Sequence, residues 1–144
     1  MPRHHEVRHL PYSATQMFDL VADVEHYADF LPWVVAMRVR SDSETETIAD
    51  MIVGFSGLRE KFTSRVLKQR PSAITIDYIE GPLKHLHNEW QFSDEPNGGC
   101  KVDFMVDFSF RNSLFDKLAG QMFDTALRQM IGAFERRAAK LYGG

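Results

Sequence analysis

Between residues 34 and 110, apolar and polar positions mostly alternate. The clearest run is Val102, Phe104, Val106, Phe108 and Phe110, interleaved with Lys101, Asp103, Met105, Asp107 and Ser109. A period of two over this length predicts a half-buried strand with one wet face. Leu86, Asn88, Trp90 and Phe92 predict another, and Ile74, Ile76 and Tyr78 a third. Phe62, Ser64 and Val66 face away from Lys61, Thr63 and Arg65. Ile48, Asp50, Ile52 and Gly54 face away from Ala49, Met51, Val53 and Phe55. Val35, Met37 and Val39 alternate with polar partners. The breaks carry turn chemistry: SDSETE near residue 43, Gly54 with Gly57, RPSA around Pro71, Gly81-Pro82, and EPNGG at 95–99. Six hairpin-linked strands predict an antiparallel meander.

The flanks have a different texture. His4 to Leu10 carries Val7 and Leu10 among polar residues and predicts a modest edge strand. Ser13 with Gln16 forms a capping-box pattern. Met17, Leu20, Val21 and Val24 then follow at helical spacing. A second short helix is expected over Val24 to Phe30, ended by Pro32. At the other end, Ser113 as N-cap and Asp116 at N3 open a helix of about 28 residues, roughly 42 Å at 1.5 Å per residue. Leu114, Leu118, Met122, Ala126, Met130 and Phe134 form one apolar row. Phe115, Ala119, Phe123, Leu127 and Ile131 form a second. Arg136, Arg137 and Lys140 suit the C-terminal dipole, and Gly143 and Gly144 are expected to fray.

The expected fold class is therefore α+β: a curved antiparallel sheet of about seven strands, two short helices after strand 1, and a long C-terminal helix over the apolar face of the sheet. A bent sheet and a straight helix do not close along their whole length, so an apolar pocket is expected between them.

Composition narrows the function. With 144 residues the chain is expected to form one domain spanning 1–144. Seventeen Lys and Arg against twenty Asp and Glu give a net charge of −3, which argues against nucleic-acid binding through bulk positive charge. The single cysteine, Cys100, excludes an internal disulfide and a cysteine-rich zinc module. No run approaches the ~18 apolar residues of a membrane span, and MPRHHEVRHLPYS has no secretory apolar region. The expected location is the cytoplasm, with peripheral contact on the inner face of the cytoplasmic membrane. Eleven Phe and seven Met are generous for this length; both fill cores, and Met also lines adaptable apolar sites.

Five stretches carry a family resemblance: LPYSATQMFDLVADVEHYADFLPW at 10–33, VGFSGLREKFTSRV at 53–66, EGPLKHLHNEW at 80–90, GCKVDFMVDFSFRNSL at 99–114 and AFERRAAKLYG at 133–143. Together they resemble the coenzyme Q-binding START-domain family, in the helix-grip (START/Bet v 1-like) class that includes polyketide cyclases and lipid-transfer domains. The resemblance implies a non-catalytic binder of ubiquinone or a similar polyprenyl lipid. It would act as a lipid chaperone for a respiratory or quinone-biosynthesis protein, with ubiquinone as bound ligand rather than a cofactor. Bacterial relatives include a ribosome-association toxin, so the ribosome is the alternative partner.

Candidate ligand-binding residues follow from these patterns. Phe30, Leu31 and Trp33 surround a proline corner suited to admitting a lipid. Phe55, Phe62, Trp90, Phe104 and Phe108 on strands, and Met122, Phe123, Leu127 and Met130 on the helix, are the apolar lining. Ser64, Tyr78 and Asn88 are donors for a quinone carbonyl. Glu60 shares a face with Phe62 and Val66 and, if inward, is a buried carboxylate in need of Arg59, Arg65 or Asn88. His85 and His87 share a strand face at metal-pair spacing, without an obvious third ligand. His4, His5 and His9 are expected in solvent. No nucleophile or nucleotide motif is present, and Asp103 and Asp107, some 13 Å apart on a wet face, are too far apart for a glycosidase dyad. A ribosome-binding surface would draw on Arg128, Arg136, Arg137 and Lys140. A cyclase-type enzyme would need Glu60, His87 and Tyr78 to converge.

Overall fold

The computed structural model describes residues 3–31, 33–55, 58–81, 83–111 and 113–143; within these, the side chains at 55, 58, 110, 113–116 and 118–127 are outside the description. The elements are β1 (Arg3–Leu10), α1 (Ala14–Ala22), a 3₁₀ helix (Val24–Asp29), β2 (Val34–Asp42), β3 (Glu46–Phe55), β4 (Leu58–Gln69), β5 (Ala73–Glu80), β6 (Leu83–Asp94), β7 (Cys100–Phe110) and α2 (Ser113–Tyr142). The strands form one antiparallel sheet in the order β1-β7-β6-β5-β4-β3-β2. β1 and β2 are consecutive in sequence yet lie at opposite edges, so α1 and the 3₁₀ helix carry the chain across the sheet.

Local chemistry explains the element ends. The Ser13 hydroxyl accepts the Gln16 N–H at 3.1 Å and the Gln16 side chain accepts the Ser13 N–H at 2.9 Å, completing the capping box. Asp94 accepts the Ala14 N–H at 2.8 Å, so β6 also caps α1. The second short helix expected after Asp23 is present as a 3₁₀ helix over Val24–Asp29. The buried Tyr27 hydroxyl donates back to the Val21 carbonyl, which ties this turn to the end of α1. At the other end, Gly143 (φ +83°) donates its N–H to Ala139 O at 2.9 Å and caps α2 where fraying was expected. The expected cap at Ser113 and Asp116 lies outside the described side chains.

In the β6–β7 hairpin, Glu95 N–H bonds Gly99 O at 2.8 Å, and Gly98 takes φ +89°. Gly99 is buried, and a Cβ there would run into the Leu10 carbonyl of β1. Gly99→Ala is therefore expected to loosen the β1–β7 pairing and lower stability by about 1–3 kcal/mol, read as a fall in Tm.

The core lies between the inner face of the sheet, α1 and the C-terminal half of α2. Met17, Phe18, Val21, Ile74, Trp90, Phe92, Phe104, Val106, Phe134 and Ala138 are buried there. Arg70 grips Asp19 through two 2.9 Å bonds and fastens the β4–β5 turn to α1.

Candidate functional site

Register divides the inner face of the sheet into two halves. In the closed half, Trp90 pairs with Phe104 and Phe92 with Val102. Phe134 of α2 plugs this half, with ring centroids 5.4 Å from Trp90, 5.5 Å from Tyr27 and 5.2 Å from Phe30. In the other half, cross-strand pairs run Met51–Phe62, Ala49–Ser64–Tyr78, Ile76–Asn88 and Leu86–Phe108. These residues point the same way as the core, yet all but Ala49 remain half-buried. Met37 on β2 belongs with them.

The polar groups of this half are sparse. Tyr78 accepts the Leu83 N–H at 3.0 Å on its hydroxyl oxygen, which keeps its own proton for another acceptor. Ser64 sits between Ala49 and Tyr78. The Asn88 amide oxygen is buried without a hydrogen-bond partner, an arrangement that a ligand or water would relieve.

The structure thus brings Phe62, Ser64, Tyr78, Asn88 and Phe108 together on the half-buried half. Trp90 and Phe104 (centroids 4.4 Å apart) lie in the packed half, beside half-buried Met130. At the corner, Leu31 is buried and Phe30 and Trp33 are half-buried against the core, with Arg137 over the Phe30 ring at 5.3 Å. The side chains of Phe55, Met122, Phe123 and Leu127, and Pro32 itself, lie outside the described residues.

Two expectations are corrected, and a third condition is not met. Glu60 shares the inward phase of Phe62 and Ser64 but is exposed opposite Val53 near the strand end, so it is not a buried carboxylate. Val35 is 43% exposed, because a bulge between Val34 and Ala36 turns it off the inner face. His4 is half-buried on the inner face opposite Val106, whereas His5 and His9 are exposed as expected.

His4 belongs to a polar strip that the sequence reading missed: His4, Glu6 and Arg8 all face inward from β1. Arg8 bonds Glu6 at 3.2 Å and Glu135 of α2 at 3.3 Å, across a crevice of about 30 Å³. The available signal was the phase of Leu10, which puts Arg8, Glu6 and His4 on its own face. A second missed group is the buried Asp50 on the outer face, bonded to Thr63 at 2.6 Å and Arg40 at 2.8 Å. Desolvation pushes its carboxyl up, but these hydrogen bonds and the charges of Arg40 and Lys61 outweigh that and hold it below the ordinary value.

The outer face also holds the histidines once considered for metal. His85 bonds Asp107 at 3.0 Å and His87 bonds Asp77 at 2.6 Å, so each imidazole faces its own carboxylate. The Asp77 hydrogen bond raises the His87 pKa; partial desolvation opposes the rise, and the charges of Asp77 and Glu89 add to it. A raised folded-state pKa makes the pair stabilising below the ordinary histidine value, with the benefit lost as pH rises through the folded value. The stability gap between the native protein and Asp77→Asn is therefore expected to be widest in mild acid and to close in alkali, as measured by urea unfolding across pH. Burial and the charges of Asp94 and Glu95 push the Cys100 thiol up to about 11, the state of an inert core side chain. Glu60, His87 and Tyr78 do not converge: the first is exposed, the second lies on the outer face and the third on the inner face.

A seven-stranded antiparallel sheet gripping a long C-terminal helix defines a START-like helix-grip protein. The chain belongs to the family described as polyketide cyclase / dehydrase and lipid transport, which matches residues 10–135. It is 36% identical over 136 residues to the "Ribosome association toxin RatA" of Rickettsia prowazekii, covering 92% of each chain. It is 35% identical over 142 residues to the "Coenzyme Q-binding protein COQ10 homolog B, mitochondrial" of Xenopus laevis, covering 96% of this chain and 58% of that one. The solution structure of the 18 kDa protein CC1736 from Caulobacter crescentus superposes with a TM-score of 0.79 at 38% identity, covering both chains completely.

Proposed function

We propose that this protein binds the ring and proximal isoprene units of ubiquinone or a related polyprenyl lipid and passes it to a respiratory or quinone-biosynthesis protein, without catalysing a reaction. The observation that carries this reading is the half-buried inner row of Met37, Met51, Phe62, Ile76, Leu86 and Phe108 around an unpartnered Asn88 oxygen. Such a surface gains about 25 cal/mol for each Å² of apolar area that cargo covers. Ser64 and Tyr78 supply donors for ring carbonyls. The Asn88 amide offers a donor and an acceptor, which fits a ring in either its quinone or its quinol state. A pocket of ordinary size, ~300–1,000 Å³, holds the ring and a few isoprene units and leaves a long tail in the bilayer. The similarity to the frog coenzyme Q-binding protein supports the same class of ligand.

The test is organic extraction of protein purified from its native membrane-containing lysate, followed by mass spectrometry, together with a melting scan against a short-tailed ubiquinone. Copurified polyprenyl quinone and a dose-dependent rise in Tm are expected. The reading fails if no lipid is extracted and the short-tailed quinone leaves Tm unmoved.

The similarity to the RatA sequence over nearly the whole chain supports a second reading, association with the ribosome. Arg128, Arg136 and Lys140 are exposed on α2, while Arg137 turns toward Phe30 and contributes less to such a surface. Cosedimentation with large ribosomal subunits at physiological salt decides it.

A further inference from the structure

The outer side of β2–β4 concentrates positive charge on an otherwise acidic chain. β4 presents Arg59, Lys61 and Arg65 outward at alternate positions, and β2 presents Arg38 and Arg40. All five are exposed. The acids facing them are Asp50, held by Arg40 and Thr63, Glu46, 3.5 Å from Arg65, and Asp77, opposite Arg65 on β5 and bonded to His87, with Glu80 at the β5 border. Arg38 and Arg59 make no ion pair among the described residues, and Lys61 has only a through-space attraction to Asp50. These three cations surround an apolar centre. The β2 bulge puts Val35 on this side, where it lies over Gly54; a Cβ there would stand 2.9 Å from Val35 Cγ2. Ile52, half-buried between Ala36 and Lys61, completes the centre. Strand spacings put Arg38 and Lys61 about 12 Å apart, the span of a few lipid headgroups.

From this juxtaposition we infer that the outer face of β2–β4 docks the protein on an anionic phospholipid surface, with Arg38, Arg59 and Lys61 on headgroup phosphates and Val35 pressed into the interface. Cations around an apolar tooth match what a charged bilayer offers, since interfacial binding adds apolar burial to electrostatic attraction. A nucleic-acid backbone would use the cations and leave Val35 and Ile52 idle. The same three strands carry Met37, Met51 and Phe62 on their inner side. Docking here therefore brings the half-buried half of the inner face within one sheet thickness of the bilayer. In that respect the inference rests on the cargo reading, although the docking itself needs no cargo.

The experiment is flotation with phosphatidylcholine vesicles, with and without phosphatidylglycerol, of the native protein, of the Arg38→Glu/Lys61→Glu double variant, of Val35→Ser and of Lys140→Glu as a distant control. The native protein is expected to float only with anionic vesicles, and less so as salt rises. The double variant should bind at least tenfold more weakly, since each Lys or Arg near such a surface adds substantially to binding. Val35→Ser should weaken binding severalfold, and Lys140→Glu should not. Equal melting temperatures, and an equal Tm rise with short-tailed ubiquinone, separate loss of docking from misfolding and from failure of the cargo reading. Binding that ignores lipid charge, or that survives in the double variant, overturns the inference. So does a native protein that ignores vesicles while the double variant loses cosedimentation with ribosomal subunits, which would make this a face for RNA.

Discussion

Replacing Phe134 with alanine is expected to lower the free energy of unfolding by about 3–5 kcal/mol, the range for deleting a buried phenyl ring. Phe134 is 4% exposed and, among the described residues, is the one α2 residue whose ring meets Tyr27, Phe30 and Trp90 together. Its loss removes apolar burial, three edge-on ring contacts and the packing of α2 on the sheet at one stroke. The hole is hemmed in by the 3₁₀ helix, β6 and β7, which have little room to collapse. Urea unfolding should show a lower midpoint at an unchanged slope. Phe134→Leu, which retains most of the volume, should cost about 1 kcal/mol. Because Phe134 plugs the packed half, a Tm rise with short-tailed ubiquinone is expected to be the same in Phe134→Leu as in the native protein. A Phe134→Ala cost below 1 kcal/mol would mean that this half is not the tightly packed anchor described above.

The same division between halves explains what the sequence reveals. Strict alternation from Val102 to Phe108 specifies its strand face, because a slip of one residue would put Lys101, Asp103 and Asp107 into the core. The capping box at Ser13 and Gln16 is equally local and equally visible. Val35 escapes because a bulge adds a residue to one strand only, and nothing in VVAMRV marks where the partner strand skips. β1 escapes for a different reason. Its inner face carries His4, Glu6 and Arg8 with Leu10 while Val7 points out, so hydrophobicity favours neither side, and Glu135, more than a hundred residues later, joins Glu6 in holding Arg8 inward. Asp50 looks like an ordinary outward carboxylate until Arg40, displaced by the second β2 bulge, folds over it. Local periodicity thus identifies which apolar residues face inward, while the charged margins of the sheet depend on partners remote in sequence. The inward placement of Ser64, Tyr78 and Asn88 was legible because each occupies a phase that apolar residues otherwise fill.

Ser64→Trp should separate a hollow interior from a solid one by two readouts that move independently. Ser64 lies mid-sheet, flanked by Ala49 and Tyr78, and is half-buried although it points inward. If the space above it receives cargo, an indole fits there, stability stays level or rises, and the ring occupies the volume a quinone needs. Displacing about 100–150 Å² of apolar contact removes about 2.5–3.8 kcal/mol of binding, a loss of roughly 70- to 600-fold in affinity. The Tm rise with short-tailed ubiquinone should then vanish while the unliganded Tm holds. If the interior were filled, the indole would force side chains off their rotamers at a cost of about 1–3 kcal/mol, and Tm would fall instead. Asn88→Leu complements it: a leucine of similar size removes the orphan oxygen and should stabilise the free protein slightly, while weakening quinone binding about tenfold through loss of the ring hydrogen bond. A stable Ser64→Trp protein that still responds fully to quinone would place the cargo elsewhere than on the half-buried row between β2 and β7.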